Sequence, residues 1–197
     1  MSQPQLSVLI PAAGASTRLG RAKQLVRYKG ETLIQNAVDI ALSVGPREVI
    51  VVTGADEGSV KNAVRKSPVR CVHNAHWRDG MGSSIATGAT VISTESSGVM
   101  ILLCDQWRLQ TADLQLLATT WQQDSKRIIC AHADSQNMPP VIFPAGLFGK
   151  LKALGSDSGA KRILKDHPEL LTRVEIENAQ FDLDRQSQLK QLIISDL

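Results

Sequence analysis

"VLIPAAGASTRLGRAKQL", residues Val8 to Leu25, decides how this chain is read. Leu6 to Pro11 is short, apolar and closed by a turn former, the pattern of a buried strand. Ala12, Ala13, Gly14, Ala15 and Ser16 follow, then Arg18, Arg21 and Lys23, with no acid in the whole stretch. Small residues let backbone N–H groups approach a ligand closely, and Arg18 and Lys23 add cationic donors. In open parallel sheets, ligands bind outside the carboxyl ends of strands, which is where this loop falls. The loop therefore predicts an anion site, most economically for a polyphosphate. Charge-assisted hydrogen bonds of this kind are worth roughly 1.5–3 kcal/mol each.

Two common nucleotide loops are excluded. A P-loop ends in Gly-Lys followed by Ser or Thr, whereas Gly20 precedes Arg21-Ala22-Lys23. A dinucleotide fingerprint needs G-x-G-x-x-G, whereas Gly14 precedes Ala15 and Ser16.

Outward from this loop, strands alternate with helices. Helical spacing of Leu33, Ile34, Ala37, Val38, Ala41 and Leu42 predicts a helix over Thr32 to Val44, stopped by Gly45-Pro46. Strands are predicted at Glu48 to Thr53, Val69 to His73, Val99 to Cys104, Arg127 to Ala133, Pro139 to Phe143 and Thr172 to Glu177. Helices are predicted over Asp56 to Lys66, Ser83 to Ser93, Thr111 to Trp121 with Thr111 as N-cap, Pro144 to Ala153, Ser158 to Lys165 and Gln186 to Ile193. The early strands are apolar throughout rather than alternating. The expected fold is thus α/β, a mostly parallel sheet covered on two faces, in one domain spanning 1–197.

Composition narrows the function. The 197 residues carry a net charge of +3 and 4% aromatics, too mild for a nucleic-acid-binding face. No apolar run approaches the roughly 20 residues of a membrane helix, and the polar, uncharged start MSQPQ has no leader pattern, so a cytoplasmic protein is expected. Cys71, Cys104 and Cys130 have neither disulfide nor metal spacing and read as core residues. His73 and His76 lack a third ligand and read as surface or strand-end histidines. Trp77 reads as a packing residue.

"PAAGASTRLGRAKQL" resembles the signature loop of nucleotidyltransferases with a Rossmann-like three-layer core, and most of all the A-A-G-x-S-x-R-x-G-x-x-K run of the molybdenum cofactor cytidylyltransferase group. "NAHWRDGMGSSIATG", Asn74 to Gly88, is similar to that group's N-x-x-W-x-x-G-M-G-S-S segment. "LLCDQ", Leu102 to Gln106, resembles L-x-D-Q-P, "SDSGAKRIL" resembles G-D-x-G-A-R, and "FDLDRQSQL" more weakly resembles D-I-D-T-P-E-D-L. The resemblance covers nearly the whole chain.

It implies attack by a phosphorylated acceptor on the α-phosphate of a nucleoside triphosphate, with release of pyrophosphate. Lys23 would contact the reacting phosphates and Arg18 the β- and γ-phosphates. Ala12 to Ser16, with Gly80, Met81, Gly82, Ser83 and Ser84, would hold the nucleotide, and Ala13 favours CTP over GTP. Asp105, at the end of the most apolar strand, would ligate Mg²⁺, which takes one or two carboxylates plus phosphate oxygens and water. The second carboxylate is Asp182 or Asp184, with Asp184 favoured by the family pattern. Asp157, Ser158, Gly159 and Lys161, with Arg162 nearby, would hold the acceptor's phosphate. The implied acceptor is a molybdopterin, with a molybdoenzyme as downstream partner. Trp107, Ser156, Met138-Pro139-Pro140 and Arg185-Gln186 depart from the family pattern on the acceptor side or beside the second metal ligand. Sugar- or polyol-phosphate acceptors therefore stay open, as does a non-catalytic nucleotide-binding module.

Overall fold

The computed structural model describes residues 4–17, 19–155 and 159–183. Its main sheet has seven strands in the order β5-β4-β1-β6-β8-β7-β9. These are β1 (Leu6–Pro11), β4 (Glu48–Thr53), β5 (Arg70–His73), β6 (Gly98–Ile101), β7 (Ile128–Ala133), β8 (Gln136–Pro144) and β9 (Leu171–Glu175). A two-stranded ribbon, β2 (Arg27–Tyr28) with β3 (Glu31–Thr32), stands apart. Helices are α1 (Leu33–Leu42), α2 (Glu57–Ala63), α3 (Met81–Thr90), α4 (Thr111–Gln123), α5 (Phe148–Lys152) and α6 (Lys161–Asp166).

Burial on both faces explains the continuous apolar strands. Val8 and Ile10 of β1 join Val49, Val51 and Met100 under α1 and α4, where Ile34, Val38, Leu114, Leu117 and Trp121 complete one core layer. Leu9 joins Ile50, Val52, Val99 and Ile101 under α3, α5 and α6, with Ile85, Leu151, Ile163 and Leu164. The result is the expected three-layer, mostly parallel architecture.

β8 is the antiparallel exception, pairing antiparallel with both β6 and β7. The two residues joining β7 to β8, Asp134 and Ser135, both have positive φ, 48° and 60°. That is the backbone of a tight hairpin turn usually signalled by Asn-Gly. Asp-Ser gives no such signal, so the sequence shows the strand only from Pro139.

Other boundaries shift for local reasons. α3 starts at Met81 rather than Ser83, directly after Gly80 with φ 98°. Thr111 is not the cap of α4. Gln110 caps it, its N–H donating to Asp113 Oδ2 at 2.8 Å in a reciprocal capping box. The stretch predicted as one helix over Pro144 to Ala153 divides into a 3₁₀ turn, Ala145–Leu147, and α5. The helix predicted over Gln186 to Ile193 lies outside the described residues.

The sheet sets the site's position through Gly54, just past β4. A methyl group there would lie 2.6 Å from the Ala13 carbonyl oxygen and 2.7 Å from Trp77 Cβ. The loop after β1 and the segment around Trp77 thus meet over a bare Cα. Gly54→Ala is expected to lower unfolding stability by about 1–3 kcal/mol, as overpacking does, measurable by urea denaturation.

Candidate active site

Residues Ala13 to Thr17 leave β1 as a loop whose backbone N–H groups carry no hydrogen bond to any described residue. Consecutive unpaired N–H groups form a concavity suited to an anion. Gly14 is exposed, and a Cβ there would meet nothing within 4 Å. It would project into a cleft of about 550 Å³ lined by Ala13, Gly14, Ser16, Lys23, Trp77, Arg78, Gly80, Met81 and Ser84, among others. Ala12 is buried beside it, its N–H donating to Val52 O at 2.8 Å. Ala15 is half-buried in the same loop.

Lys23 begins a short 3₁₀ turn, and its N–H donates to Ser16 Oγ at 3.1 Å. Its ammonium group pairs with Asp105 Oδ2. Asp105 lies four residues past β6 and is only 6% exposed, with its second oxygen, Oδ1, buried and without a hydrogen-bond partner. A buried carboxylate oxygen lacking a donor is costly unless something cationic completes it. The donor set, one hard carboxylate whose neighbour Cys104 and partner Lys23 line the cleft, is of the kind that suits a Mg²⁺-type ion. No group of three or more His, Cys, Asp or Glu that could hold a metal occurs among the described residues. Arg18 and Asp184 lie outside the described residues. The chain nevertheless returns to Asp105, because Leu183 N donates to Asp105 O at 3.1 Å. Cys104, the neighbour of Asp105, has its thiol pushed up to about 12 by burial and by the adjacent carboxylate, so it stays protonated and is no nucleophile.

The segment entering α3 is held from inside. Asn74, 1% exposed, donates through Nδ2 to Ser83 Oγ at 2.9 Å and to Ser84 Oγ at 3.0 Å. Its Oδ1 accepts from His76 N at 2.9 Å. Ser83 Oγ donates on to the carbonyls of His76 and Gly80, so Ser83 shapes the loop rather than lining the cleft. Ser84 lines the cleft and Gly82 is buried behind it.

Met81 stands between this cleft and a second one of about 540 Å³. The second is walled by Ile85, Ile101, Leu103, Met138, Pro139 and Leu164, with Gln106, Asp182 and Lys161 among its several polar members and Gly159 beside them. Gly159 and Lys161 thus sit together at one end of it, while Asp157 and Ser158 lie outside the described residues. Asp182, not the favoured candidate, is exposed and lines this second cleft.

Three contributions escaped the sequence reading. Arg78 adds a cation to the first cleft, its guanidinium 4.4 Å from the centre of the Trp77 ring. Gln106 ties Asp105 to the second cleft, donating to Pro139 O and Ala179 O, both at 2.6 Å. Trp107 is buried edge-on to Tyr28 and Phe181, wedging the ribbon against the returning chain. His73 pairs with Glu57 at 3.0 Å and His76 is largely exposed, as surface histidines do.

A model of the MobA-like NTP transferase domain matches residues 8–171. The chain belongs to that family. A relative across its whole length is the nicotine blue oxidoreductase of Paenarthrobacter nicotinovorans, 30% identical over 96% of this chain and 97% of that one. The molybdenum cofactor cytidylyltransferase of Escherichia coli is a more distant member, 22% identical over 91% and 90%. Among solved structures, Rv0371c from Mycobacterium tuberculosis superposes with a TM-score of 0.85 at 21% identity, covering 98% of this chain and 100% of that one. A further structure of Rv0371c is a complex with manganese, with a TM-score of 0.80 at 20% identity over 97% and 99%. The family's fold is therefore present over nearly the full chain. No helix among the described residues is long and apolar enough to cross a membrane.

The clamp behind α3 can be tested apart from catalysis. Asn74→Ala removes a buried amide and takes from two serine hydroxyls and the His76 N–H the partner they share. It is expected to cost about 1–3 kcal/mol of stability, read by thermal or urea unfolding.

Proposed function

We propose that this chain, a single nucleotidyltransferase domain acting in the cytoplasm, transfers CMP from CTP to a phosphorylated small molecule of the molybdopterin type and releases pyrophosphate. The observation that carries this reading is the pairing of Lys23, which lines the cleft, with Asp105, beside a loop whose backbone N–H groups bond to no described residue. Family membership supports the reaction class. CTP and molybdopterin rest on the likeness to the cytidylyltransferase, together with Ala13, whose methyl group packs against Gly54.

In this reading the triphosphate tail lies along residues Ala13 to Thr17, its oxygens accepting from the free N–H groups. Arg78 adds positive charge to the same cleft, and Arg18 is assigned to the β- and γ-phosphates. Lys23 leaves Asp105 for the α-phosphate, where negative charge grows as the bond to pyrophosphate breaks. Such transfers depend on positioning and electrostatic stabilisation rather than on covalent catalysis. Asp105, with Asp184 as the favoured second carboxylate, would hold Mg²⁺, which when bound neutralises phosphate charge and fixes the tail's orientation. The acceptor occupies the second cleft, with its phosphate toward Gly159 and Lys161; Asp157 and Ser158 are assigned to the same phosphate by the family pattern. Met81 forms the wall between the two substrates.

A second reading comes from the relative named as an oxidoreductase, which aligns over 96% of the chain. It predicts a redox change in a small molecule that consumes an added electron donor or acceptor, without pyrophosphate release.

The test is a pyrophosphate-release assay with Mg²⁺, four nucleoside triphosphates, and molybdopterin, sugar-phosphate and polyol-phosphate acceptors. Turnover with CTP and molybdopterin is expected. Turnover only with another acceptor would revise the substrate. Binding of CTP without release would leave a binding module. Lys23→Ala should slow release by roughly 10²–10³-fold. Because that change also strips Asp105 of its countercharge, the melting temperature is measured alongside. An unchanged rate removes Lys23 from the chemistry. Asp105→Asn should raise the Mg²⁺ concentration for half-maximal rate by at least about tenfold, the scale of one lost charge-assisted contact.

A further inference from the structure

Gln24 is 2% exposed, yet it sits directly beneath the anion loop. Its single amide nitrogen donates to two loop carbonyls, Ala12 O at 2.9 Å and Gly14 O at 2.7 Å. In a trans peptide unit the carbonyl and the following N–H point in opposite directions. Drawing the Ala12 and Gly14 carbonyls inward therefore turns the N–H groups of Ala13 and Ala15 outward. Those two N–H groups are among the ones with no hydrogen bond to a described residue. The turn is held at its far side by Ser16, whose φ of 51° is left-handed and whose hydroxyl accepts from Lys23 N at 3.1 Å. One buried side chain thus sets the direction of alternate donors in the concavity and shares a short turn with the cation beside it.

We propose that Gln24, at the inner wall of the cleft, is a positioning residue for phosphate binding: through the Ala12 and Gly14 carbonyls it orients the Ala13 and Ala15 N–H groups toward the oxygens of a polyphosphate. This rests on the reading of the cleft as a triphosphate site. Amide chemistry explains the choice of residue. Glutamate would set an oxygen against two carbonyl oxygens. Methionine would fill the same volume while leaving both carbonyls without donors and free to rotate.

The experiment compares the parent with Gln24→Met and Gln24→Glu. Inorganic tripolyphosphate and CTP with Mg²⁺ are the probes, calorimetry reads affinity, and the ¹⁵N–¹H shifts of Ala13 and Ala15 read the donors. In the parent, tripolyphosphate should bind and move both amide signals downfield. Gln24→Met should melt within a few degrees of the parent, lose at least about tenfold in affinity for both probes, and show no such shift. Gln24→Glu should lose more. Parent-like affinity in Gln24→Met overturns the proposal and leaves Gln24 as core filling. Slowed hydrogen exchange at Ala13 to Thr17 on adding tripolyphosphate to the parent is expected independently of any variant, and unchanged exchange there also overturns it. A parent that binds neither probe overturns the triphosphate reading itself, and this proposal with it.

Discussion

The parallel pairing of β1 with β6 is the constraint from which the site follows. Leu6 faces Gly98 and Leu9 faces Ile101 in register, and Leu102 N continues the ladder to Leu9 O at 3.0 Å. Two strands running the same way must end at the same edge of the sheet. The anion loop after Pro11 and the carboxylate of Asp105 are therefore neighbours although 82 residues separate Lys23 from Asp105. Pairing of β1 with β4 on its other side adds the floor, because Ala12 N reaches Val52 O and Gly54 then passes under Ala13.

On that scaffold, three buried neutral amides hold the irregular segments. Gln24 holds the loop after β1, Asn74 the entry to α3, and Gln106 the segment between β6 and the second cleft. A neutral amide suits this task, because it carries donors and an acceptor without the desolvation cost of a charge. The charged side chains then remain for the cleft, which Lys23 and Arg78 line, with Asp105 buried behind Lys23. The arrangement separates holding from reacting, so that the loops keep their shape while the cations answer to a ligand. Trp107 packs the two-stranded ribbon against the returning chain. Where the family pattern has a small rigid residue, an indole here fills the gap between Tyr28 and Phe181 and is capped by Arg108, 4.7 Å from its ring centre.

Much of this was legible in the sequence because the signals were local. The apolar runs Leu6 to Pro11 and Glu48 to Thr53 are strands to the residue, and the small, acid-free loop follows the first of them as read. Asp105 was marked by its place after the most apolar strand. What escaped the reading depends on contacts distant in sequence or on turns without their usual residues. The β7–β8 hairpin turns on Asp134-Ser135, a pair that carries no Asn-Gly signal, so its antiparallel pairing was hidden. Arg78 belongs to no reading of the sequence; it joins the cleft because the bare Cα of Gly54 lets the segment around Trp77 approach the loop after β1.

Taken alone, the order of residues determined the alternating elements, the two-sided burial of the central strands and a loop of small and basic residues, free of acids, at the end of the first. Periodicity and turn chemistry are written within a few residues of each other and need no partner to be read. Only the tertiary structure decided that Lys23 meets Asp105, that one oxygen of that carboxylate is buried without a donor, and that a second, more apolar cleft opens beyond Met81. Those facts depend on strand order and on where chain segments far apart in sequence come to rest, which the spacing of residues along the chain does not encode.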